Sequence, residues 1–376
     1  MSWMVCGGCV LRQGRIAPGE VALRGGRIVA DAAPARRFDA AGLLVLPGIV
    51  DLHGDAHERA VQPRPNVDFP ARFALPDAAA QMLAAGITTA YMGVTLSWEP
   101  GLRSLQAFEA MLAALRAPPP GPDLRVHLRF EADNLAAAPA ALRAMAAGEV
   151  HLLGFNDHTP SILKKLGNPK DLGKYAGRAG VGEAEFLALA RAAEAGRAEA
   201  PALRVTMARA ARAAGIPMLS HDDATLEDRA MFRALGATIC EFPMAEAVAV
   251  DARAAGEAVV MGAPNVVRGG SHLGWASAAP LAERGLVTVL ASDYHWPALP
   301  AAPFRLAARG AMGLAAAWAL VSSNAADALG LTDRGRIEAG MRGDLVLMTE
   351  AGEVCAVFAG GSLAWMAPGA AARIGQ

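Results

Sequence analysis

The sequence predicts a (β/α)8 TIM-like barrel, an α/β fold, carrying a small β-sandwich domain built from both ends of the chain. Three observations predict it. From residue 45 to about 320, eight short apolar runs bounded by turn residues alternate with Ala/Leu/Arg-rich amphipathic stretches, the rhythm of a parallel sheet covered on its outer face. The flanks lose that rhythm and read as short strands with glycine-rich turns, each too short to bury a core alone. Third, the residues able to do chemistry gather at the C-terminal ends of the predicted strands, where barrels of this kind carry their sites.

The predicted barrel strands are 44–52, 87–95, 125–131, 151–157, 217–220, 237–242, 258–262 and 287–292. Helices are expected between them, among others over 76–85, 105–117, 183–214 and 301–320. The N-terminal flank predicts strands over 4–11, 21–23, 26–30 and 37–39, and the C-terminal flank over 343–348, 354–358 and 362–365. Residues 1–46 and 337–376 are therefore expected to form one composite β-domain, with the barrel, 47–336, inserted between them.

Composition limits what the chain does. Of 376 residues, 53% are apolar and 19% charged, which excludes disorder of the whole chain. A net charge of −1 gives no overall electrostatic case for nucleic acid or an anionic membrane. The longest uncharged apolar run, 310–321, is too short to span a bilayer, and the N-terminus lacks a basic segment followed by a hydrophobic core. A soluble, cytoplasmic protein is expected. Cys6-Gly-Gly-Cys9 has the spacing of a zinc knuckle but no second pair, so it reads as two ordinary cysteines in a strand and turn. Of 35 basic side chains only four are lysines, Lys164, Lys165, Lys170 and Lys174. Arginine-rich codon usage explains the scarcity but not the clustering, and the scarcity excludes a carbamate or Schiff-base lysine on a distant strand.

Five of the predicted strands end in metal-ligand chemistry. The first ends His53-Gly54-Asp55 with His57-Glu58 close behind, the third in Glu131, the fourth in Asp157-His158, the fifth in His221-Asp222-Asp223, the eighth in Asp293. Alternate residues share a face, so His53 and Asp55 both point into the barrel mouth. Imidazole nitrogen and carboxylate oxygen are donors that suit zinc, manganese or iron. Two ions about 4 Å apart would need a bridging group, and Glu131 is the best candidate because a carboxylate has two oxygens to share. Taken singly, Asp222 and Asp223 also read as caps of the following helix with Thr225. Dinucleotide, P-loop and nucleophile-elbow motifs fail on spacing.

Anion-binding features lie beside these ends. After the seventh strand, Arg268-Gly269-Gly270-Ser271-His272 offers backbone N–H groups at two glycines and side-chain donors at Arg268, Ser271 and His272. Arg64, held between Pro63 and Pro65, is a second donor. The lysine cluster lies six to sixteen residues beyond His158, in a glycine-containing segment expected to act as a lid, with Lys170 and Lys174 gripping a polyanionic substrate.

The motifs resemble the amidohydrolase superfamily. Pro47-Gly48-Ile49-Val50-Asp51-Leu52-His53 looks like its strand-one signature, and 324–331 followed by Gly335, Ile337, Gly340 and 343–346 looks like its C-terminal one. Pro63-Arg64-Pro65…Asp68, Ser220-His221-Asp222-Asp223-Ala224-Thr225, Glu241-Phe242-Pro243, 261–272 and Ser292-Asp293-Tyr294 are similar to the α-D-ribose 1-methylphosphonate 5-triphosphate diphosphatase family of the carbon–phosphorus lyase pathway. The resemblance implies a hydrolase with a divalent metal centre, expected to hold two ions (zinc or manganese, with iron a further candidate), on His53, Asp55, Glu131, His158, His221 and Asp293. It implies a phosphorylated small-molecule substrate, with Asp222 facing it, and cleavage of a ribose 5-triphosphate to the 5-phosphate and pyrophosphate by metal-activated water, Asp293 guiding the proton. A homodimer is expected. The alternative is hydrolysis of a C–N bond, in a cyclic amide or an amine, by the same metal site. The chain departs from the diphosphatase pattern directly after Asp55, at Ala56-His57-Glu58-Arg59, and again at 93–99, which bears on the substrate rather than on the metal site.

Overall fold

The computed structural model describes residues 2–31, 35–65, 67–270, 274 and 276–375. Eight parallel strands pair in sequential order: β1 (Ile49–Gly54), β2 (Ile87–Leu96), β3 (Asp123–Glu131), β4 (Leu152–Asn156), β5 (Met218–His221), β6 (Ile239–Glu241), β7 (Ala258–Gly262) and β8 (Val289–Ala291). Their β-branched and aliphatic runs are buried almost throughout, as parallel strands covered by helices require. The barrel closes between β8 and β1 at the end that carries the site. There the Asp293 N–H donates to His53 O and the Asp55 N–H to Asp293 O, both at 3.0 Å. Asp51 reinforces the seam, accepting from the Ser292 N–H at 3.0 Å and the Ser292 hydroxyl at 2.6 Å. At the opposite end Leu320 and Val321 wedge between the same two strands, their carbonyls accepting from Leu290 and Val50.

The apolar run 44–52 is not one strand. Leu44–Pro47 joins a second sheet and Ile49–Gly54 begins the barrel. The break falls at Pro47-Gly48, since proline has no N–H for a continuing ladder and a side chain at Gly48 would strike Thr88 Oγ1 at 2.3 Å.

That second sheet has nine strands drawn from both termini. Leu345–Met348 lies antiparallel to Leu44–Pro47, which runs parallel to Ser2–Arg12, so the two ends of the chain are joined by backbone hydrogen bonds. Trp3 and Phe38 meet Phe358 edge-on at 5.4 and 5.8 Å in a core separate from that of the barrel. Cys6 and Cys9 lie on the first strand, and all four cysteines are free.

Two expected helices are interrupted. The stretch 183–214 divides into Glu183–Ala195 and Ala200–Ala213 around Gly196 and Pro201, and 301–320 into Ala298–Ala308 and Leu314–Ala319 around Gly310 and Gly313. The lysine segment, read as a glycine-containing loop, is helical: Thr159–Leu166 carries Lys164 and Lys165, and Pro169–Ala179 carries Lys170 and Lys174. This lobe has its own apolar core around Ile162, Leu166 and Phe186. No helix among the described residues is long and apolar enough to cross a membrane.

Candidate metal centre

The strand ends bring His53, Asp55, His158, His221, Asp222 and Asp293 together. One donor atom from each of His53, Asp55 and Asp293 falls within 4.8 Å of the others, and the same holds for His158, His221 and Asp222. A third such group joins His53 to His127 and Glu241. The sets adjoin, with the His53 and His221 rings 6.0 Å apart and those of His158 and His221 5.4 Å apart.

Asp222 and Phe242, directly after β5 and β6, and Asp293, two residues after the end of β8, hold left-handed backbone with φ of 59°, 52° and 55°. Each such non-glycine position costs on the order of 1–3 kcal/mol, and the strain turns side chains into the mouth that a regular strand would aim elsewhere. Asp222 thereby pairs with its neighbour His221, Nδ1 to Oδ2 at 3.1 Å. Burial works to raise the Asp222 carboxyl, but the His221 charge and hydrogen bond outweigh it and hold it below the ordinary range.

Asp223 turns away from the mouth. It accepts from the Ser220 hydroxyl at 2.6 Å and pairs with the fully buried Arg229 at 3.2 Å. The helix Leu226–Ala234 is capped instead by Thr225 and Asp228 in a reciprocal capping box.

Glu131, at the end of β3, is committed to the β4 loop. One oxygen takes the backbone N–H groups of His158 and Thr159, and the other lies 3.0 Å from His158 Nδ1. Burial raises this carboxyl, and the His158 contacts bring it back below its ordinary value.

Three residues of the site were given no role from the sequence, although Glu241 stands in one of the motifs that carry the resemblance. Glu241 ends β6, is fully buried, and lies 2.8 Å from His53 Nδ1. Its second oxygen has no hydrogen-bond partner. Burial, partly offset by His221 and Arg129, pushes its carboxyl up to about 7. Arg129 reaches Asp55 at 3.5 Å and His221 Nε2 at 3.2 Å, and His127 is buried against His53 at 5.2 Å. The signal was present: counting back from Glu131 by strand alternation puts Arg129 and His127 on the same inward face.

The donor set fits a divalent cation. Asp293 is pushed up to about 7 by burial and then by Asp55, Glu241 and Asp222, with Arg129 opposing. Burial, followed by Arg129, drives His53 down to about 3, so its imidazole is neutral and free to ligate. Clustered carboxylates that repel one another, a neutral His53 imidazole, and a Glu241 oxygen without a hydrogen bond are together what a cation would relieve.

The anion-binding candidates lie at the rim. Arg268 is exposed, closes the short helix Ala263–Arg268, and donates to the Tyr294 hydroxyl at 3.1 Å, next to Asp293. The Gly269 N–H is engaged with Asn265 O at 3.1 Å. Gly270 follows it, and Ser271 and His272 lie outside the described residues. Arg64 is exposed in a tight turn bridged to Val67. Lys170 and Lys174 are exposed one turn apart on their helix.

No family model matches the chain. It is 35% identical over 348 residues to the α-D-ribose 1-methylphosphonate 5-triphosphate diphosphatase of Escherichia coli (strain K12), covering 89% of this chain and 92% of that protein. Among solved structures it is similar to an amidohydrolase (TM-score 0.62, 15% identity, 97% of this chain and 99% of that one). It is also similar to a triazine hydrolase variant (TM-score 0.66, 15% identity, 96% and 94%). These two likenesses concern the fold, a barrel completed by a sheet from both termini. The sequence identity places the chain in the α-D-ribose 1-methylphosphonate 5-triphosphate diphosphatase family.

Proposed function

We propose that this hydrolase cleaves the anhydride between the first and second phosphates of a ribose 5-triphosphate, releasing the 5-phosphate and pyrophosphate. The carrying observation is the convergence of His53, Asp55 and Asp293 with His158, His221 and Asp222 at the barrel mouth, in a chain 35% identical to a diphosphatase of such a triphosphate. Two ions fit this reading, zinc or manganese, held by these residues, with Glu131 and Glu241 standing behind His158 and His53. A divalent cation there supplies Lewis acidity, acidifying water and neutralising phosphoryl charge.

The chain's own residues do the rest. Asp293, held in the mouth by its left-handed backbone and the β8–β1 seam, takes the proton of the attacking water as the new oxygen–phosphorus bond forms and the anhydride bond to the leaving pyrophosphate breaks. Glu131 orients His158, and Glu241 orients His53. Arg268 and Gly270 hold the outer phosphates from the β7 side, Arg64 and Asp222 border them, and Lys170 and Lys174 close on them from the β4 side.

The test is pyrophosphate release from a panel of ribose and nucleoside 5-triphosphates with Mn²⁺ or Zn²⁺, beside a panel of cyclic amides. Metal-dependent pyrophosphate release supports the reading. Turnover of cyclic amides without any phosphoanhydride cleavage replaces it with C–N hydrolysis.

A further inference from the structure

Arg129 is a buried arginine whose hydrogen-bonding capacity the fold leaves largely unused. It lies on β3, two residues before Glu131, with a side chain 8% exposed. Its Nη1 stands 3.5 Å from Asp55 Oδ2 and its Nη2 3.2 Å from His221 Nε2. Asp55 belongs to one of the two donor sets of the mouth and His221 to the other, so the guanidinium lies between them. Gly93, on the neighbouring strand β2, leaves it room: a side-chain carbon there would press on Arg129 Cδ at 3.2 Å.

A guanidinium carries five N–H donors and a permanent charge, and burying it is costly unless it is paired and hydrogen-bonded. The supporting arginines of this chain meet that demand. Arg229, fully buried, reaches Ser220, the Ala237 carbonyl, Asp223 and Glu257, all at 3.2 Å or less. Arg334, 5% exposed, reaches Thr89, Asp123 and Asp333, all at 2.8 Å or less. Arg129 has one long carboxylate contact and one imidazole, and its Nε has no hydrogen-bond partner. It is a cation held in place but short of acceptors.

The carboxylate nearest to it, Asp55, is one that the ions proposed above would claim. Arg129 then needs another anion, and the anion that enters this mouth is the substrate's phosphate. Arg64, Arg268, Lys170 and Lys174 are exposed and stand farther out, where the outer phosphates lie. A cation buried between the two donor sets meets the reacting phosphate instead, and in low-dielectric surroundings it stabilises charge far more than a solvated one does.

We propose that Arg129 is a catalytic residue: its guanidinium donates to a non-bridging oxygen of the phosphate under attack and stabilises the charge there as water adds and the anhydride bond breaks. Arg129 keeps its protons, and the bonding pair leaves with pyrophosphate. The inference rests on the phosphoanhydride reading of the mouth and adds a residue to it.

The experiment measures kcat and KM of the metal-loaded enzyme for the best triphosphate of the panel above, with bound metal read by elemental analysis. Arg129→Gln is expected to lower kcat about 100-fold or more, with KM changed less than about threefold and metal content undiminished. Arg129→Lys, which keeps the charge but loses the planar fork, is expected to stay about tenfold below wild type. Millimolar guanidinium added to Arg129→Ala is expected to raise kcat severalfold, a rescue that a merely structural role would not give. A kcat within about threefold of wild type in Arg129→Gln overturns the proposal, as does a loss of turnover matched by loss of metal in every variant. Should Arg129→Gln fail to fold, Arg129→Lys decides: lowered kcat at full metal content upholds the proposal, and wild-type kcat overturns it. If the wild type cleaves no triphosphate, the hydrolytic reading fails by itself. Arg129 is then judged by calorimetry of the metal-loaded protein with inorganic phosphate: binding weakened about tenfold by Arg129→Gln upholds its contact with a phosphate, and unchanged or absent binding overturns it.

Discussion

His53 Nδ1 lies 2.8 Å from Glu241 Oε1, and both side chains are buried. The pair spans the barrel, tying the end of β1 to the end of β6. A carboxylate on one ring nitrogen fixes the imidazole and makes the other nitrogen a better ligand. Glu241→Gln keeps the shape but removes the charge, and it is expected to weaken divalent-metal affinity about 10- to 100-fold. Equilibrium dialysis followed by elemental analysis reads this directly, and wild-type affinity in the variant would dismiss Glu241 as a partner of the site.

Asp293 has a different expected signature. Its carboxyl is held in the mouth by left-handed backbone and the β8–β1 seam, so Asp293→Asn leaves the fold in place while removing the proton acceptor. Turnover is expected to fall about 100-fold or more. Near-normal metal-dependent turnover by the variant would reassign the proton to another group.

The fold was legible where period and punctuation agree. The eight apolar runs found the barrel, and the loss of rhythm at both ends found the second sheet. What failed was the detail that packing decides. The run 44–52 is continuous in hydropathy, so the change of sheet at Pro47-Gly48 is visible only as backbone chemistry. The glycines of 167–177 suggested a loop, yet the segment is helical because Ile162, Leu166 and Ala176 bury against Phe186. Within the site, histidines next to carboxylates were conspicuous. Glu241 was not, because it stands alone in an apolar strand, and its charge has meaning only once β1 is seen opposite. The adjacent acids Asp222 and Asp223 could not be told apart until the left-handed turn separated them, one into the mouth and one onto Arg229.

Metal removal should show in stability as well as in turnover. The carboxylates of Asp293 and Glu241 are destabilised by burial and by their acidic neighbours, and a bound cation offsets that repulsion in the native state alone. At a free metal concentration 100 times Kd the gain is about 2.7 kcal/mol. Thermal unfolding after exhaustive chelation is therefore expected several degrees below that of the metal-loaded protein, with recovery on adding Zn²⁺ or Mn²⁺. An unchanged midpoint would mean that no ion binds preferentially to the folded chain.

Arg229 is the support beneath β5. It is fully buried, donates to the Ser220 hydroxyl at 2.5 Å and the Ala237 carbonyl at 2.7 Å, and pairs with Asp223 and Glu257, both at 3.2 Å. Arg229→Met strands the buried Asp223 carboxylate, while Glu257 keeps its pair with Arg233, and a loss of about 3–5 kcal/mol is expected in urea unfolding. Adding Asp223→Asn should restore part of it, since the neutral amide no longer needs a cation, giving a non-additive cycle. Additive losses would show that Arg229 acts through packing alone.

Lys170 and Lys174 stand one helical turn apart on the exposed face of Pro169–Ala179, where Asn168 caps the helix by accepting from the Lys170 N–H at 3.0 Å. Neither ammonium is needed to hold the lobe, whose core is apolar, so replacing both with alanine should leave thermal stability within about 0.5 kcal/mol. A polyphosphate carries its charge outward from the reacting phosphorus, and cations that meet its outer groups contribute to binding before chemistry begins. The double variant is thus expected to raise KM for a triphosphate about threefold to tenfold with kcat little changed, because such contacts act on ground state and transition state alike. The effect should shrink as ionic strength rises, since exposed charges are screened over about 8 Å at physiological salt. An unchanged KM at low salt would make the cluster part of the solvated surface and leave the grip on the outer phosphates to Arg268 and Arg64.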